Sequence, residues 1–361
     1  MIKTFLTLLT SFSLVTLPLA VPNITQENPI KMNTQLSENE TIRIAYESLD
    51  RFNKNDGKKT SEKEIICYES IYNGLLEEIG ILATLKDEYA IIIIDNNQGI
   101  VIELGARNAM PYKNYDGKKV YLGPLNYYTV NNNIAYDVSH DKSVSISSLR
   151  ESELNHIDYF SNELESSRSP QNPTPDDIYK YIYNYSSYFV YCAQPDDYSC
   201  VPTSFAMCLK YLNNRNKFAL YNGMSNIYSM RNELYYNYMV NSNGRCREPK
   251  ITNGFNDFCD DNTNKTIRCS STWGYNCTFS AMKSEVDADY PAVLMFKPGA
   301  DQMYSVNHAT ALVGYFKSYD YQTWTYNNYV RVVDPYASPV CEKTIYWNTN
   351  YIYGYYIITV Y

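Results

Sequence analysis

The chain has 361 residues, enough for two ordinary domains and a sizeable core. Its 39 acidic and 31 basic side chains give a net charge of −8, with no long basic block; this excludes nucleic acid as the main partner, because phosphate binding needs clustered Lys and Arg. The 39 tyrosines accompany a general richness in Asn, Ile and Lys, which marks a biased composition rather than a carbohydrate-binding surface.

The chain opens MIKTFLTLLTSFSLVTLPLAVPN. One early lysine, an apolar run, then Pro18 and the small Ala20 form a secretory signal pattern, so residues 1–20 read as a signal peptide and the mature protein as secreted. The apolar run is interrupted by Thr and Ser and is short for a bilayer, so no stable membrane insertion is expected after cleavage. An uncleaved signal anchor is the alternative. Residues 21 to about 60 are polar and Asn-rich and read as a weakly ordered leader.

From Glu64 to Leu82, apolar residues at Ile65, Tyr68, Ile71, Tyr72, Leu75, Leu76 and Ile79 have helical spacings. Tyr89–Ile94 and Ile100–Leu104 are strand-like runs separated by DNNQG, which predicts a hairpin. Val120–Val130, VYLGPLNYYTV, reads as a strand around a Gly-Pro break. These elements make a small α+β domain over residues 62–145. Residues 150–165 are helix-compatible. Ser166–Asp177, SSRSPQNPTPDD, is a proline-rich linker of the exposed, extended kind that proteases cut. The second domain covers 178–361.

There are nine cysteines. Export implies an oxidising compartment, so disulfides are expected, and the odd count leaves at least one thiol unpaired unless it bridges to another chain. Four cysteines fall between 246 and 277 without the paired C-x-x-C spacing of zinc sites; they predict a disulfide-stapled insertion near the cleft and no metal.

The stretch QPDDYSCVPTSFAMCLKYL, Gln194–Leu212, delivers a cysteine to the start of a helix. Pro202 suits a first helical position. Val201, Phe205, Cys208, Leu209 and Leu212 then share one face, so Cys208 reads as structural. The unpaired amides and dipole at a helix N-terminus favour a thiolate at Cys200. A thiolate needs a base, an orienter for that base and oxyanion donors. Of three histidines, His140 lies in a polar run and His156 in a helix-like region of the first half, whereas His308 opens the apolar strand-like run HATALVGYF. A second strand, YVRVVDPY, ends at Asp334. A hairpin pairing about residue 321 puts 308 opposite 334 and brings the carboxylate to the imidazole. Gln194 precedes the nucleophile on its loop and is the candidate oxyanion donor, together with the Cys200 amide.

Gln194-x5-Cys200, Cys-x-Pro-Thr at 200–203, NHATALVGY and Asp334-Pro335, in that order, resemble papain-like cysteine peptidases, and the C39-like group in particular. The resemblance covers Gln194–Tyr361. It implies an α+β papain-like fold, a cysteine-bearing helix packed on an antiparallel sheet. It also implies Cys200 as nucleophile, His308 as base, Asp334 as orienter and Gln194 as oxyanion donor, acting on a peptide or protein substrate with no cofactor and no metal. Two departures concern the substrate side of the cleft: Val201 stands where the C39-like group often has glycine, and the Trp that follows the cysteine in papain is absent. The first domain resembles, through YAIIIIDNNQGIVIELG and VYLGPLNYY, the propeptide regions of some secreted C39-like and streptopain-like peptidases. That implies a zymogen; a permanently attached domain is the alternative. Two other functions compete with peptide hydrolysis: acyl transfer to an amine by the same Cys-His-Asp set, and a binding scaffold in which Cys200 is locked in a bridge.

Overall fold

Antiparallel pairing of apolar strands organises the protein, seen here in a computed structural model that describes residues 37–55, 65–95, 98–139, 141–153, 178–196, 198–221, 223–242, 244–297, 308–320, 325–337, 339–348 and 351–361. The signal-like segment 1–20, the linker 166–177, His140 and His156 lie outside the described residues.

The first element is α1 (Glu38–Asn55), where the sequence predicts a weakly ordered leader. A capping box starts it: the Glu40 amide donates to Ser37 Oγ (3.4 Å) and the Ser37 amide to Glu40 Oε2 (3.2 Å). Ile44, Ala45, Leu49 and Phe52 follow at helical spacing and are buried. Phe52 meets Phe316 and Tyr329 edge-on at centroid distances of 5.1 and 5.3 Å. The polar residues between these positions hide the stripe in the sequence.

The predicted helix at 64–82 is instead two strands, β1 (Cys67–Tyr72) and β2 (Glu78–Thr84), paired antiparallel with Tyr68 opposite Ala83. Asn73 and Gly74 break the run. The Asn73 side chain accepts from the Leu75 and Glu77 amides at 3.1 and 2.8 Å, closing a turn. Spacings of three and four fit a strand–turn–strand as well as a helix when β-branched residues fill them. The expected hairpin is present as β3 (Glu88–Asp95) and β4 (Gln98–Ala106). The Gly-Pro break divides its segment into β5 (Lys118–Tyr121) and β6 (Tyr127–Asn131). Then come β7 (Ile134–Asp137), β8 (Lys142–Val144) and α2 (Ile146–Glu153), whose Leu149 is buried against Val120, Tyr128 and Val130.

The second half begins with β9 (Ile178–Tyr181) and the single turn α3 (Tyr185–Tyr188). Next are α4 (Cys200–Asn214), α5 (Ile227–Glu233) continued by a π-helical turn at Leu234–Met239, and α6 (Lys250–Asn262). The rest is β10 (Ile267–Trp273), α7 (Phe279–Asp287), β11 (Ala292–Phe296), β12 (His308–Asp320), β13 (Thr325–Asp334), β14 (Cys341–Tyr346) and β15 (Ile352–Val360).

Among the described residues the strands join into one mixed sheet in the order β10-β15-β11-β12-β13-β14-β4-β3-β2-β1-β5-β6-β7-β8, with β9 also on β12. Among the described strands only the β1–β5 pairing is parallel. The α+β expectation is met, and the large antiparallel sheet is compatible with a C39-like peptidase fold. The two halves are not separate sheets: Thr344 of β14 pairs with Leu104 of β4. Phe52 ties α1 to the strands of the second half, and its truncation to Ala leaves a cavity. Phe52→Ala is expected to cost about 3–5 kcal/mol, read as a lowered denaturation midpoint of the full chain.

Candidate active site

The helix carrying Cys200 starts two residues earlier than the sequence implies. Cys200 is the first helical residue and Pro202 the third, still within the turn whose amides have no intrahelical partner. The Thr203 amide and hydroxyl both reach the Ser199 carbonyl, at 3.0 and 2.6 Å. α4 is buried on more than the predicted face, because α5 and α6 cover the side away from the sheet. Phe205 sits between Phe255 (4.6 Å) and Tyr356 (5.3 Å), and the Cys208 thiol meets the Ala292 carbonyl at 3.6 Å. Cys208 is buried core, as its place on the apolar stripe implies.

His308 opens β12 and Asp334 ends β13, and the two strands pair antiparallel. Their register differs from the expected one. Ala311 pairs with Val333 and Leu312 with Val332, so Asp334 is level with Thr310, two residues beyond His308. An offset of two keeps both side chains on the same face, as diagonal neighbours. His308 Nε2 lies 2.8 Å from Asp334 Oδ1. The same oxygen accepts the Tyr336 amide at 2.9 Å, and Lys343 Nζ lies 3.1 Å from the other oxygen. Every side of the carboxylate is thereby held.

Cys200 and His308 also share a hydrogen bond. With Nε2 committed to Asp334, the thiol faces Nδ1. Burial pulls the imidazole toward its neutral form, but the charge and hydrogen bond of Asp334, with the contribution of Cys200, raise it to about 9. Burial pushes the Asp334 carboxyl up; Lys343 first and His308 second outweigh it and hold the group below the usual carboxylate range. The Cys200 side chain is buried, while 17 % of the His308 side chain is exposed.

Gln194 lies on the loop before Cys200, and its backbone amide donates to the Pro335 carbonyl at 3.0 Å, tying that loop to the turn after Asp334. Its side-chain N–H donates to the Asp196 carbonyl at 2.7 Å. A cavity of about 430 Å³ flanks Cys200, lined by Tyr198, Val201, Cys246, Trp273 and Tyr353. Another, of about 400 Å³, flanks His308 and Asp334, and its far side comes from the first half through Met110, Lys113, Tyr115 and Leu125.

The disulfide expectation is corrected: all nine cysteines are thiols, Cys200 included, and the 246–277 insertion is not stapled. The insertion has a core of its own, since α6 buries Phe255, Phe258 and Cys259 and β10 carries Cys269 against them. Burial pushes up the thiols of Cys192, Cys208, Cys246, Cys259, Cys269 and Cys341, which makes them poor nucleophiles. Sequence reasoning missed Lys343 and Tyr336. No spacing rule flags Lys343 within CEKTIY.

The class these features define is a helix-borne thiol hydrogen-bonded to an imidazole, which is paired with a carboxylate on an antiparallel sheet. Residues 186–358, which carry Gln194, Cys200, His308 and Asp334, match the model of the Peptidase_C39 like family, so this segment is similar to that family. The family suggests a cysteine-peptidase type of function. No curated protein matches the chain.

The imidazole makes a direct prediction. The His308 resonance in NMR should titrate near pH 9, and Asp334→Asn should move that midpoint toward the free-histidine value of 6.5. The paired imidazolium contributes stability that is complete below 6.5 and lost as pH rises through about 9.

Proposed function

We propose that the protein is an exported cysteine peptidase, and the observation that carries this reading is the continuous chain Cys200–His308–Asp334. Cys200 Sγ attacks the peptide carbonyl as the thiolate of a Cys200–His308 ion pair, the thiol proton already held on His308 Nδ1. The backbone amide of Cys200 and the side-chain amide of Gln194 stabilise the oxyanion. As the tetrahedral intermediate collapses, His308 protonates the leaving amine. It then deprotonates a water that hydrolyses the thioester. Asp334 fixes the ring with Nε2–H pointed at itself and stabilises the imidazolium.

Export rests on the signal pattern of residues 1–20, and mass mapping of protein recovered from the medium should find a mature chain beginning at Val21. Two versions of the precursor differ in the fate of the first half once the chain is cut within 166–177. It leaves, as a propeptide does, or it stays.

Cys200→Ala is expected to lower peptide hydrolysis by at least about 10³-fold with the fold unchanged. Iodoacetamide should label Cys200 ahead of the other buried thiols. Unchanged hydrolysis by the variant would exclude the reading. An amide product formed in the presence of a small primary amine would redirect it to acyl transfer.

A further inference from the structure

Lys343 is 3 % exposed, and its ammonium has two carboxylates within reach: Asp334 at 3.1 Å and Glu103 of the first half at 3.7 Å. Its proton also goes to the Tyr127 hydroxyl, 2.9 Å away and again from the first half. Glu103 is 0 % exposed and accepts from Tyr89 (2.6 Å), from Tyr121 (3.5 Å) and from Tyr127. Three hydroxyl donors around one buried carboxylate make a built anion site, not a stray side chain.

The register explains how these groups meet. Asp334 pairs with Cys341, two residues from Lys343 on the same face of β14. Lys343 pairs with Gly105, two residues from Glu103 on the same face of β4. Tyr89 also pairs with Gly105, so it too is diagonal to Glu103. A Cβ on Gly105 would stand 2.8 Å from the Tyr89 ring, so only glycine leaves room for that ring. His308, Asp334, Lys343 and Glu103 thus form a diagonal line across β12, β13, β14 and β4, with alternating charge.

We propose that the first half is a permanent part of the catalytic unit, and that Glu103 is a positioning residue acting through Lys343 on Asp334 and His308. The proposal rests on the reading of Cys200, His308 and Asp334 as a peptidase triad. With Glu103 present, the ammonium is shared between two carboxylates, and Asp334 keeps Oδ1 on the ring. Loss of the first half would strip Lys343 of Glu103 and the Tyr127 hydroxyl, leave β14 an open edge and remove the far side of the His308 cavity. Other contacts hold the halves together: Phe52 packs on Phe316, and a Cβ on Gly123 would stand 2.4 Å from the Tyr351 ring. A cut in 166–177 therefore nicks the chain without releasing the first half.

The alternative is that Glu103 and Lys343 only weld the halves together. Only the positioning role moves the imidazole midpoint, and it does so with opposite signs at the two positions. An anion removed from the line lowers the imidazole midpoint, and a cation removed from it raises the midpoint. The titratable groups packed around the line are Cys200 on α4, Lys297 after β11, Tyr336 after β13, Cys341 on β14, Tyr89 on β3, Tyr121 on β5 and Tyr127 on β6, with Lys113, Tyr115 and Asp141 across the His308 cavity, and substitutions at Glu103 and Lys343 leave all of them in place.

The experiment uses the full chain with a fluorogenic casein as substrate, and NMR of histidine-labelled protein, which has three histidines to assign. Glu103→Gln should lower the His308 midpoint and Lys343→Met raise it, each by roughly half to one pH unit. Each should cut kcat about tenfold with KM within about twofold, and the double variant should bring the midpoint back. Activity should belong to intact chain, or to nicked chain whose halves co-elute. Folded variants with unshifted midpoints, or with shifts of the same sign, overturn the positioning role. An inert intact chain, with activity confined to a C-terminal fragment free of the first half, overturns the permanent domain. If Lys343→Met does not fold, the direction read from Glu103→Gln decides. Should every form fail to hydrolyse casein, the peptidase reading falls, and the NMR midpoints still decide the Glu103–Lys343 coupling.

Discussion

A lysine buried in a sheet must be neutralised where it stands, because an unpaired ammonium in a low-dielectric interior costs more than strand pairing returns. Lys343 meets that condition through two carboxylates, one beside the histidine and one on the neighbouring strand of the first half. Much of the architecture answers this need. β14 and β4 must be adjacent and in register, Gly105 must leave room for Tyr89, and three tyrosines must close over Glu103. The same line of charge ends at the imidazole that faces Cys200.

The sheet places the chemistry between two cavities of different origin. The space beside Cys200 is lined by the second half alone, through Trp273, Tyr353 and the insertion residue Cys246. The space beside His308 is shared with the first half. In the proposed reaction the imidazole delivers its proton to the leaving amine, so the departing part of a substrate occupies the shared side. Selectivity for that part then depends on Met110, Lys113 and Tyr115, residues with no place in the catalytic motifs. The insertion shapes the acyl side without disulfides, because α6 and β10 bury enough apolar surface to hold it.

The motifs and the fold were unequally legible. The β3–β4 hairpin was readable because DNNQG separates two apolar runs, and the start of α4 because a polar loop hands over to an apolar stripe. The Glu64–Leu82 segment was misread because its spacings suit both a helix and a strand–turn–strand, and Asn73-Gly74 decided the matter. α1 was missed although Ser37 and Glu40 announce a capping box, since its buried residues are diluted among charges. Expected disulfides were inferred from compartment and count, which say nothing of whether two thiols face each other; here seven of the nine cysteines are buried in the protein rather than paired, and Cys67 is exposed.

By itself the sequence determined the elements that local pattern encodes: a cysteine at a helix start, a histidine opening one strand, an aspartate closing the next, and glutamine on the approach to the cysteine. A hairpin brings His308 and Asp334 together through its own short-range pairing, so even a register misjudged by two residues left them on one face. Tertiary structure alone decided the rest. Whether Lys343 faces Glu103 depends on the register of β14 against β4, strands far apart in the chain, and a shift of one residue there would turn every side chain to the other face. No spacing within either strand carries that information.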